Sequence, residues 1–205
     1  MSEKSFPKGL LFGIFAAFVI ALIGALVIQA AKASRSNLPV LGQAPEFTLT
    51  ERSGESFNSS EMQGTLWLVD FIFTNCQAAC PVMSGHMSDF YELYAHSDKI
   101  RFLSISVDPE RDTLPVLQEY AKNHGVTDDR WLFVRGPIDK VIEISEQGFM
   151  LAAENLPMGH STKFVLVDEN KQIRRYYDAM HDPDMELIQT HIRALAREIA
   201  KRGVT

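Results

Sequence analysis

The sequence predicts a mixed α/β domain preceded by one transmembrane helix, and three observations lead to this expectation. An uncharged apolar run lies near the N-terminus, and the rest of the 205-residue chain has an ordinary content of charged side chains. A nearly continuous apolar strand leads into the only two cysteines of the chain. After the cysteines, short strands and helices alternate, which is typical of parallel strands covered by helices.

The first 35 residues are expected to form a membrane anchor, and residues 36–205 a separate domain. Residues 9–31 carry no charge and are rich in Leu, Ile, Phe, Val and Ala. This run suffices for a transmembrane helix, which needs about 20 apolar residues. A cleavable signal peptide is the alternative, because Ala31-Lys32-Ala33 resembles a cleavage site, but the run exceeds a signal-peptide core of roughly 7–15 residues. The flanking basic residues leave the orientation open.

The charge of the second domain argues against one class of partner. With the four basic and one acidic residues of 1–35 set aside, 16 basic and 25 acidic side chains remain, a net charge near −9. Nucleic acids and anionic membrane surfaces repel such a domain, so neither is expected to bind it.

The elements before the cysteines are expected to be a hairpin, a helical turn and a buried strand. Residues 47–50 and 56–57 flank a Ser-Gly turn, which predicts a β-hairpin. Residues 59–64 suit a helical turn that ends on glycine. Residues 66–73 are almost entirely apolar, as in a central strand that is buried on both faces.

Helices and strands are expected to alternate after the cysteines. The predicted helices cover Pro81 to about Ala95, Asp112-Thr113 to about His124, residues 138–149, and Pro183 to Arg202. Proline is favoured in a first helical turn, and Asp112-Thr113 is expected to cap its helix. The predicted strands cover residues 100–107, 131–134, 163–168 and 172–177, and the last two form a hairpin. This order of elements is the thioredoxin-like arrangement, in which a cysteine motif opens the helix after the first central strand.

Cys76 and Cys80 lie at the junction between the apolar strand and the next helix. Residues four apart on a helix face the same side, and a helix N-terminus lowers the pKa of a thiol. Thiolate is both the nucleophile of disulfide exchange and a ligand for soft metal ions. The residues therefore leave two chemistries open, a redox dithiol or a metal site. Three residues between the cysteines, against two in thioredoxin-type reductants, favour the metal.

His160 is the candidate for a third ligand. It lies in the loop 152–161 just before the strand that begins at Lys163, and in a thioredoxin-like fold this loop lies against the cysteine motif. Two thiolates and one imidazole suit Cu(I), whereas a structural Zn(II) site would have a fourth protein ligand. An ordinary loop histidine remains the alternative. Met83 and Met158 are interpreted as packing or loop-filling residues rather than ligands.

Several segments together resemble the Sco/SenC proteins. The resemblance covers roughly residues 42–201 and is carried by a histidine just before a strand and by three segments: Asp70-Phe71-Ile72-Phe73-Thr74-Asn75-Cys76, Cys80-Pro81-Val82-Met83, and Ser106-Val107-Asp108-Pro109-Glu110-Arg111-Asp112-Thr113. It implies a single-pass protein of the bacterial inner membrane with its N-terminus in the cytoplasm. The thioredoxin-like domain would then lie in the periplasm, or in the mitochondrial intermembrane space for mitochondrial members.

The resemblance further implies copper binding, as Cu(I) or Cu(II), by Cys76, Cys80 and His160. It implies assistance in assembling the binuclear copper centre (CuA) of cytochrome c oxidase subunit II or another copper acceptor, with a copper-donor chaperone upstream. The chain departs from many members at two points. Gln77 replaces a proline after the first cysteine, and Leu156-Pro157-Met158-Gly159 precedes His160 where many members carry an acidic residue.

A copper metallochaperone is the favoured function. An exported thiol–disulfide reductase is the alternative, in which Cys76 attacks a partner's copper-site disulfide and Cys80 resolves the mixed disulfide. A thioredoxin-like peroxidase fits less well, because Thr74-Asn75-Cys76 is one residue short of the P-x-x-x-T-x-x-C environment of such enzymes.

Overall fold

The computed structural model describes residues 17–24 and 38–202. The chain divides into two units, residues 1–36 and 37–205. In the first unit the described residues 17–24 are helical, and the rest of the predicted anchor at 9–31 lies outside the described residues. No helix within the described ranges is both long enough and apolar enough to cross a membrane.

The second unit contains one eight-stranded sheet. Its strands are β1 (Gly42–Gln43), β2 (Thr48–Glu51), β3 (Ser56–Asn58), β4 (Leu66–Ile72), β5 (Ile100–Ser106), β6 (Trp131–Arg135), β7 (Lys163–Val167) and β8 (Gln172–Asp178). Their order across the sheet is β1-β8-β7-β4-β5-β6-β2-β3. Strands β4, β5 and β6 are parallel, and the other neighbouring pairs are antiparallel.

Helices connect and cover these strands. In the described part of the second unit they are α1 (Ala79–Leu93), α2 (Leu114–Asn123), α3 (Ile138–Glu143) and α4 (Asp182–Arg202), with a 3-10 helix at Ser59–Met62. The helix predicted over residues 138–149 is α-helical only as far as Glu143, and Ile144–Gly148 continues it as a π-helical turn. Helix α1 begins two residues earlier than predicted, so Pro81 lies inside its first turn.

Strand β4 forms the centre of the core, as its apolar sequence predicts. All seven of its residues are buried, because β5 and β7 pair with its two edges and side chains cover both faces. The largest fully buried side chains include Trp67 and Phe71 of β4 itself, together with Phe102 of β5, Trp131 of β6 and Phe164 of β7. The mixed α/β, thioredoxin-like arrangement expected from the element order is confirmed.

The strand directions bring three distant segments to one edge of the sheet. Strands β4 and β5 are parallel and end together, with Ile72 opposite Ser106. Strand β7 runs antiparallel to β4, with Val165 opposite Val69 and Val167 opposite Trp67. The start of β7 therefore lies beside the end of β4. The segment after β4, the turn after β5 and the loop before β7 consequently meet at this edge.

Candidate metal centre

Cys76 and Cys80 lie at the start of α1, where the helix has unpaired backbone N–H groups. Cys80 is buried and Cys76 is partly exposed, and both are free thiols. Ala78 occupies the N-cap position and forms no side-chain cap among the described residues. Instead, the backbone N–H of Cys80 donates to Sγ of Cys76 at 3.5 Å. The sulfur of Cys76 thus takes the place of the oxygen that usually caps a helix.

The two thiols differ in acidity. Partial burial acts to raise the pKa of Cys76, but the backbone N–H groups of Cys80 and Ala78 outweigh it, and the pKa lies below its ordinary value. Burial raises the pKa of the Cys80 thiol well above its ordinary value. Because thiolate is the reactive form, the difference in pKa makes Cys76 the more readily ionised thiol of the pair and Cys80 the less readily ionised one.

His160 lies against Cys80 and is itself buried. Its Nε2 atom is 3.4 Å from Sγ of Cys80, and its Nδ1 atom is 3.1 Å from the carbonyl oxygen of Ser161. A carbonyl oxygen only accepts, so Nδ1 donates and the lone pair of Nε2 faces the thiol. Burial lowers the pKa of His160, which favours the neutral ring that binds metals. The ring of Phe73 packs edge-on against the imidazole, with 5.5 Å between the ring centroids.

The loop before His160 is tightly folded on itself. A Cβ atom at Gly159 would lie 1.8 Å from the carbonyl oxygen of Glu154, so only glycine fits. The N–H of Gly159 donates to the carbonyl oxygen of Asn155 at 3.2 Å, and Ala153 forms an isolated β-bridge with His160. These contacts fix the backbone from which the imidazole reaches the cysteines. Sequence reasoning missed Gly159, although a glycine directly before a candidate ligand was the available signal.

The structure brings together all three residues predicted for the site. The ligand atoms of Cys76, Cys80 and His160 all lie within 4.8 Å of one another. In the described ranges no other group of three His, Cys, Asp or Glu side chains meets this condition. Two sulfurs and one imidazole nitrogen, without a carboxylate, form a donor set that suits a soft ion such as Cu(I) and not Mg²⁺ or Ca²⁺. The residues present therefore fit copper.

The two methionines near the site differ in their surroundings. Met83 is fully buried in the core, as its interpretation as a packing residue predicts. Met158 is 72% exposed, so the interpretation that it fills the loop is wrong. The loop closes through backbone contacts and Gly159, and these leave the Met158 side chain at the surface.

Asp112 supports the segment that carries Cys76, contrary to its predicted role as a helix cap. Thr113 is the N-cap residue of α2, and within the described part of the chain its side chain makes no cap hydrogen bond. The buried carboxylate of Asp112 accepts hydrogen bonds from the backbone N–H of Thr74 at 3.2 Å and from its Oγ1 at 2.6 Å. Ser106 donates to the other carboxylate oxygen at 2.5 Å. Sequence reasoning missed this contact because 38 residues separate Thr74 from Asp112.

Asp70 is a second acid beneath the site that sequence reasoning did not single out. It lies in β4 and is fully buried, and the hydroxyl of Ser104 donates to its Oδ1 at 2.6 Å. Its Oδ2 atom has no hydrogen-bond partner among the described residues. Burial raises the pKa of Asp70 to about 7. A single acid in an otherwise apolar strand was the signal, since a buried carboxyl group is retained only with a reason.

Comparisons with known proteins identify the family and the relatives that this chain resembles. The family model described as SCO1/SenC matches residues 40–197. The SCO1 protein homolog of Bacillus subtilis (strain 168) is 28% identical over 193 residues, which cover 91% of this chain and 95% of that protein.

Two solved structures are similar to this chain over nearly their full length. A SCO1/SenC family lipoprotein from Bacillus anthracis is 26% identical, with a TM-score of 0.71 over 77% of this chain and 97% of that chain. BsSco, a member of the Sco family of cytochrome c oxidase assembly proteins in which a disulfide switch was identified, is 29% identical. Its TM-score is 0.67 over 78% of this chain and 97% of that chain.

Proposed function

Because this chain belongs to the SCO1/SenC family, we propose that it is a copper metallochaperone that binds copper through Cys76, Cys80 and His160. The observation that carries the proposal is the approach of the three ligand atoms to within 4.8 Å of one another. A dithiol that only exchanged disulfides would need no imidazole at this position. Two thiolates and a neutral imidazole match the preference of Cu(I) for soft ligands and low coordination number.

Each residue has a distinct part in holding copper. The lowered pKa of Cys76 supplies a thiolate that meets the incoming ion first, because this sulfur is partly exposed. Cys80 is buried, so it binds only after losing its proton, and Nε2 of His160 at 3.4 Å is placed to accept that proton or to bind the ion. The hydrogen bond from Nδ1 to Ser161 orients the ring for either task.

The recipient is proposed to be a copper site of cytochrome c oxidase, such as that of subunit II, or of another copper acceptor. Support comes from BsSco, the relative that is a member of a family of cytochrome c oxidase assembly proteins. The residues that flank Cys76 along the chain also suit transfer, because the exposed ones are uncharged: Asn75, Gln77, Ala78, Pro81 and Val82. A partner's ligands can therefore approach this segment without displacing a charged group of the segment itself. A separate copper donor is proposed to load the site.

Residues 9–31 are proposed to anchor the protein in the bacterial inner membrane, with residues 36–205 outside the cytoplasm. The support is the uncharged 23-residue run in the sequence together with the Bacillus anthracis relative, which is a lipoprotein. Fractionation of cells that express the full chain, followed by protease treatment of spheroplasts, tests both parts. The proposal requires a membrane-bound chain whose domain is digested from outside.

Competition titration tests copper binding directly. The reduced full chain is titrated with Cu(I) in the presence of a chromogenic chelator, together with His160→Ala and the control His96→Ala, which removes an exposed histidine outside the site. The proposal predicts one Cu(I) per chain, weaker binding in His160→Ala and unchanged binding in His96→Ala. Equal affinity in all three proteins would remove His160 from the site.

A second function, thiol–disulfide reduction, is favoured by the unequal acidity of the two cysteines. The Cys76 thiolate would attack a partner's disulfide and form a mixed disulfide, and Cys80 would displace the partner's second thiol. The partner gains two thiols and this chain gains the Cys76–Cys80 disulfide, so electrons and protons balance. Equilibration with glutathione gives the reduction potential of the pair. A potential too oxidising to reduce a partner's copper-site disulfide excludes this function and leaves copper binding in place.

A further inference from the structure

The segment that carries Cys76 makes few hydrogen bonds to the rest of the protein, although Cys76 and Ala79 pack against the core. The last bond between β4 and the segment after β5 runs from the N–H of Val107 to the carbonyl oxygen of Ile72 at 2.8 Å. Beyond it, the N–H of Cys76 donates to the carbonyl oxygen of Phe73, and this bond is local. Over residues 74–79, as far as the structure describes them, the bonds from Thr74 to Asp112 are the one long-range hydrogen-bonded link.

Among the described residues, the carboxylate of Asp112 accepts its hydrogen bonds from Thr74 and Ser106 and not from a basic side chain. The side chain is fully buried, and its oxygens accept from the amide and hydroxyl of Thr74 and from the hydroxyl of Ser106. The neighbouring basic residue, Arg111, pairs instead with Asp108 at 2.8 Å. A buried carboxylate that loses its donors is strongly destabilised, so each donor is held firmly. Hydrogen bonds to an ionised acceptor are also shorter and stronger than neutral ones.

We propose that Asp112 is a positioning residue for the copper site. By binding Thr74, it holds Cys76 where its sulfur can share a metal ion with Cys80 and His160. Thr74 precedes Cys76 by two residues, so fixing both its amide and its hydroxyl sets the direction of the chain into the cysteine motif. The turn after β5 thereby acts on a metal ligand that it does not touch. This inference rests on the proposed copper-binding function.

Two substitutions at Thr74 separate the hydroxyl donor from the bulk of the side chain. Thr74→Val removes the hydroxyl and keeps the shape, whereas Thr74→Ser keeps the hydroxyl. Outer groups that orient metal ligands typically change metal affinity by about 10- to 100-fold, so Thr74→Val is expected to weaken Cu(I) binding about tenfold and Thr74→Ser to restore most of it. Asp112→Asn is expected to weaken binding as well.

Asp168→Asn provides the matched control. Asp168 is also a fully buried carboxylate that accepts backbone N–H bonds, from Asn170 and Gln172, and it pairs with Arg174. It follows β7, and Val167 pairs with Trp67 near the start of β4, so the control lies at the edge of the sheet opposite the cysteines. Its loss is expected to destabilise the fold and to leave Cu(I) affinity within about twofold of the original, because no copper ligand depends on it.

The experiment measures three properties of each purified full chain. These are Cu(I) affinity by competition, amide hydrogen exchange of residues 74–80 in the metal-free reduced protein, and global stability in urea. The proposal predicts that Thr74→Val and Asp112→Asn accelerate exchange at residues 74–80 and weaken Cu(I) binding, while Asp168→Asn lowers only global stability.

The results distinguish this inference from the function on which it rests. If the unaltered chain binds Cu(I) and Thr74→Val binds it equally well, Asp112 does not position the site. If Thr74→Val and Asp168→Asn weaken binding equally, the effect is one of general stability and the proposal is again overturned. If the unaltered chain binds no Cu(I), the copper function fails, and the exchange of residues 74–80 still decides whether Asp112 holds this segment.

Discussion

The Nε2 atom of His160 lies 3.4 Å from Sγ of Cys80, although 80 residues separate them in the chain. The contact arises because β7 runs antiparallel to β4, which places the loop before β7 beside the helix that starts after β4. It changes the chemistry available to the cysteine pair. Two thiols alone allow disulfide exchange, and the imidazole adds a third soft-metal ligand as well as a proton acceptor.

Cys76 is predicted to react with alkylating agents far faster than Cys80. The thiol of Cys76 is partly exposed and its pKa is lowered, whereas Cys80 is buried and its pKa is raised. At pH 7.5 the full-length Cys80→Ser variant should be alkylated by iodoacetamide at least about tenfold faster than Cys76→Ser, because only the thiolate reacts. Mass spectrometry of timed samples gives both rates. Equal rates would contradict the assigned nucleophile.

Gly159→Ala is predicted to displace His160 from the cysteines. An added Cβ would lie 1.8 Å from the carbonyl oxygen of Glu154, and backbone atoms on both sides must move to relieve the overlap. Cu(I) affinity should therefore fall toward that of His160→Ala in a competition titration.

Gly85→Ala is the control for this prediction. Gly85 lies in α1 close to the site in sequence, and a Cβ there meets no atom within 4 Å. Alanine is preferred to glycine in a helix interior by roughly 0.5–1 kcal/mol, so this variant should be slightly more stable with unchanged Cu(I) affinity. A Gly159→Ala protein that binds Cu(I) as tightly as Gly85→Ala would show that the loop does not set the position of His160.

The buried carboxyl group of Asp70 is predicted to make stability depend on pH. Its pKa is raised to about 7 by burial, against about 3.9 in an unfolded chain. Between these two pKa values the folded protein holds a proton that the unfolded chain has released. The contribution of Asp70 to stability is therefore complete below about pH 4, and it is lost as the pH rises to about 7. The change corresponds to roughly 4 kcal/mol.

Asp70→Asn tests this prediction because asparagine does not titrate. Urea unfolding of both full chains from pH 4 to pH 8 should show the unfolding free energy of the variant rising relative to the original by up to roughly 4 kcal/mol. Asp129→Asn, at an exposed position, serves as the control and should run parallel to the original chain. Parallel curves for Asp70→Asn would show that Asp70 does not titrate in this range.

Much of the fold follows from local sequence patterns. The apolar run at 66–73 predicted the central strand β4. Ile188, Ile192 and Leu195, spaced four and three residues apart in the sequence, form the buried face of α4. These elements are predictable because a buried strand and an amphipathic helix each impose their own period on the sequence. The cysteine pair could be placed at a strand-to-helix junction because the sequence patterns predicted the strand before it and the helix after it.

The contacts between distant segments were not predictable to the same degree. The residues next to Asp112 in the sequence predict a helix cap. Only the parallel pairing of β4 with β5 brings its side chain to Thr74. The pairing of β1 with β8 and of β2 with β6 likewise depends on the assembled sheet. The turn at Ile144–Gly148 is π-helical although its sequence suits an ordinary helix. For Asp112 and for these strand pairs, contacts between segments far apart in the chain decide the outcome.

X-ray absorption at the copper K edge tests the central claim most directly, because it reports the atoms bound to the metal. The sample is the reduced full chain loaded with one Cu(I), beside His160→Ala prepared in the same way. We expect two sulfur ligands and one imidazole nitrogen in the original chain, and loss of the imidazole scattering in the variant. Identical spectra from the two proteins, or a spectrum without two sulfur ligands, would contradict a copper site formed by Cys76, Cys80 and His160.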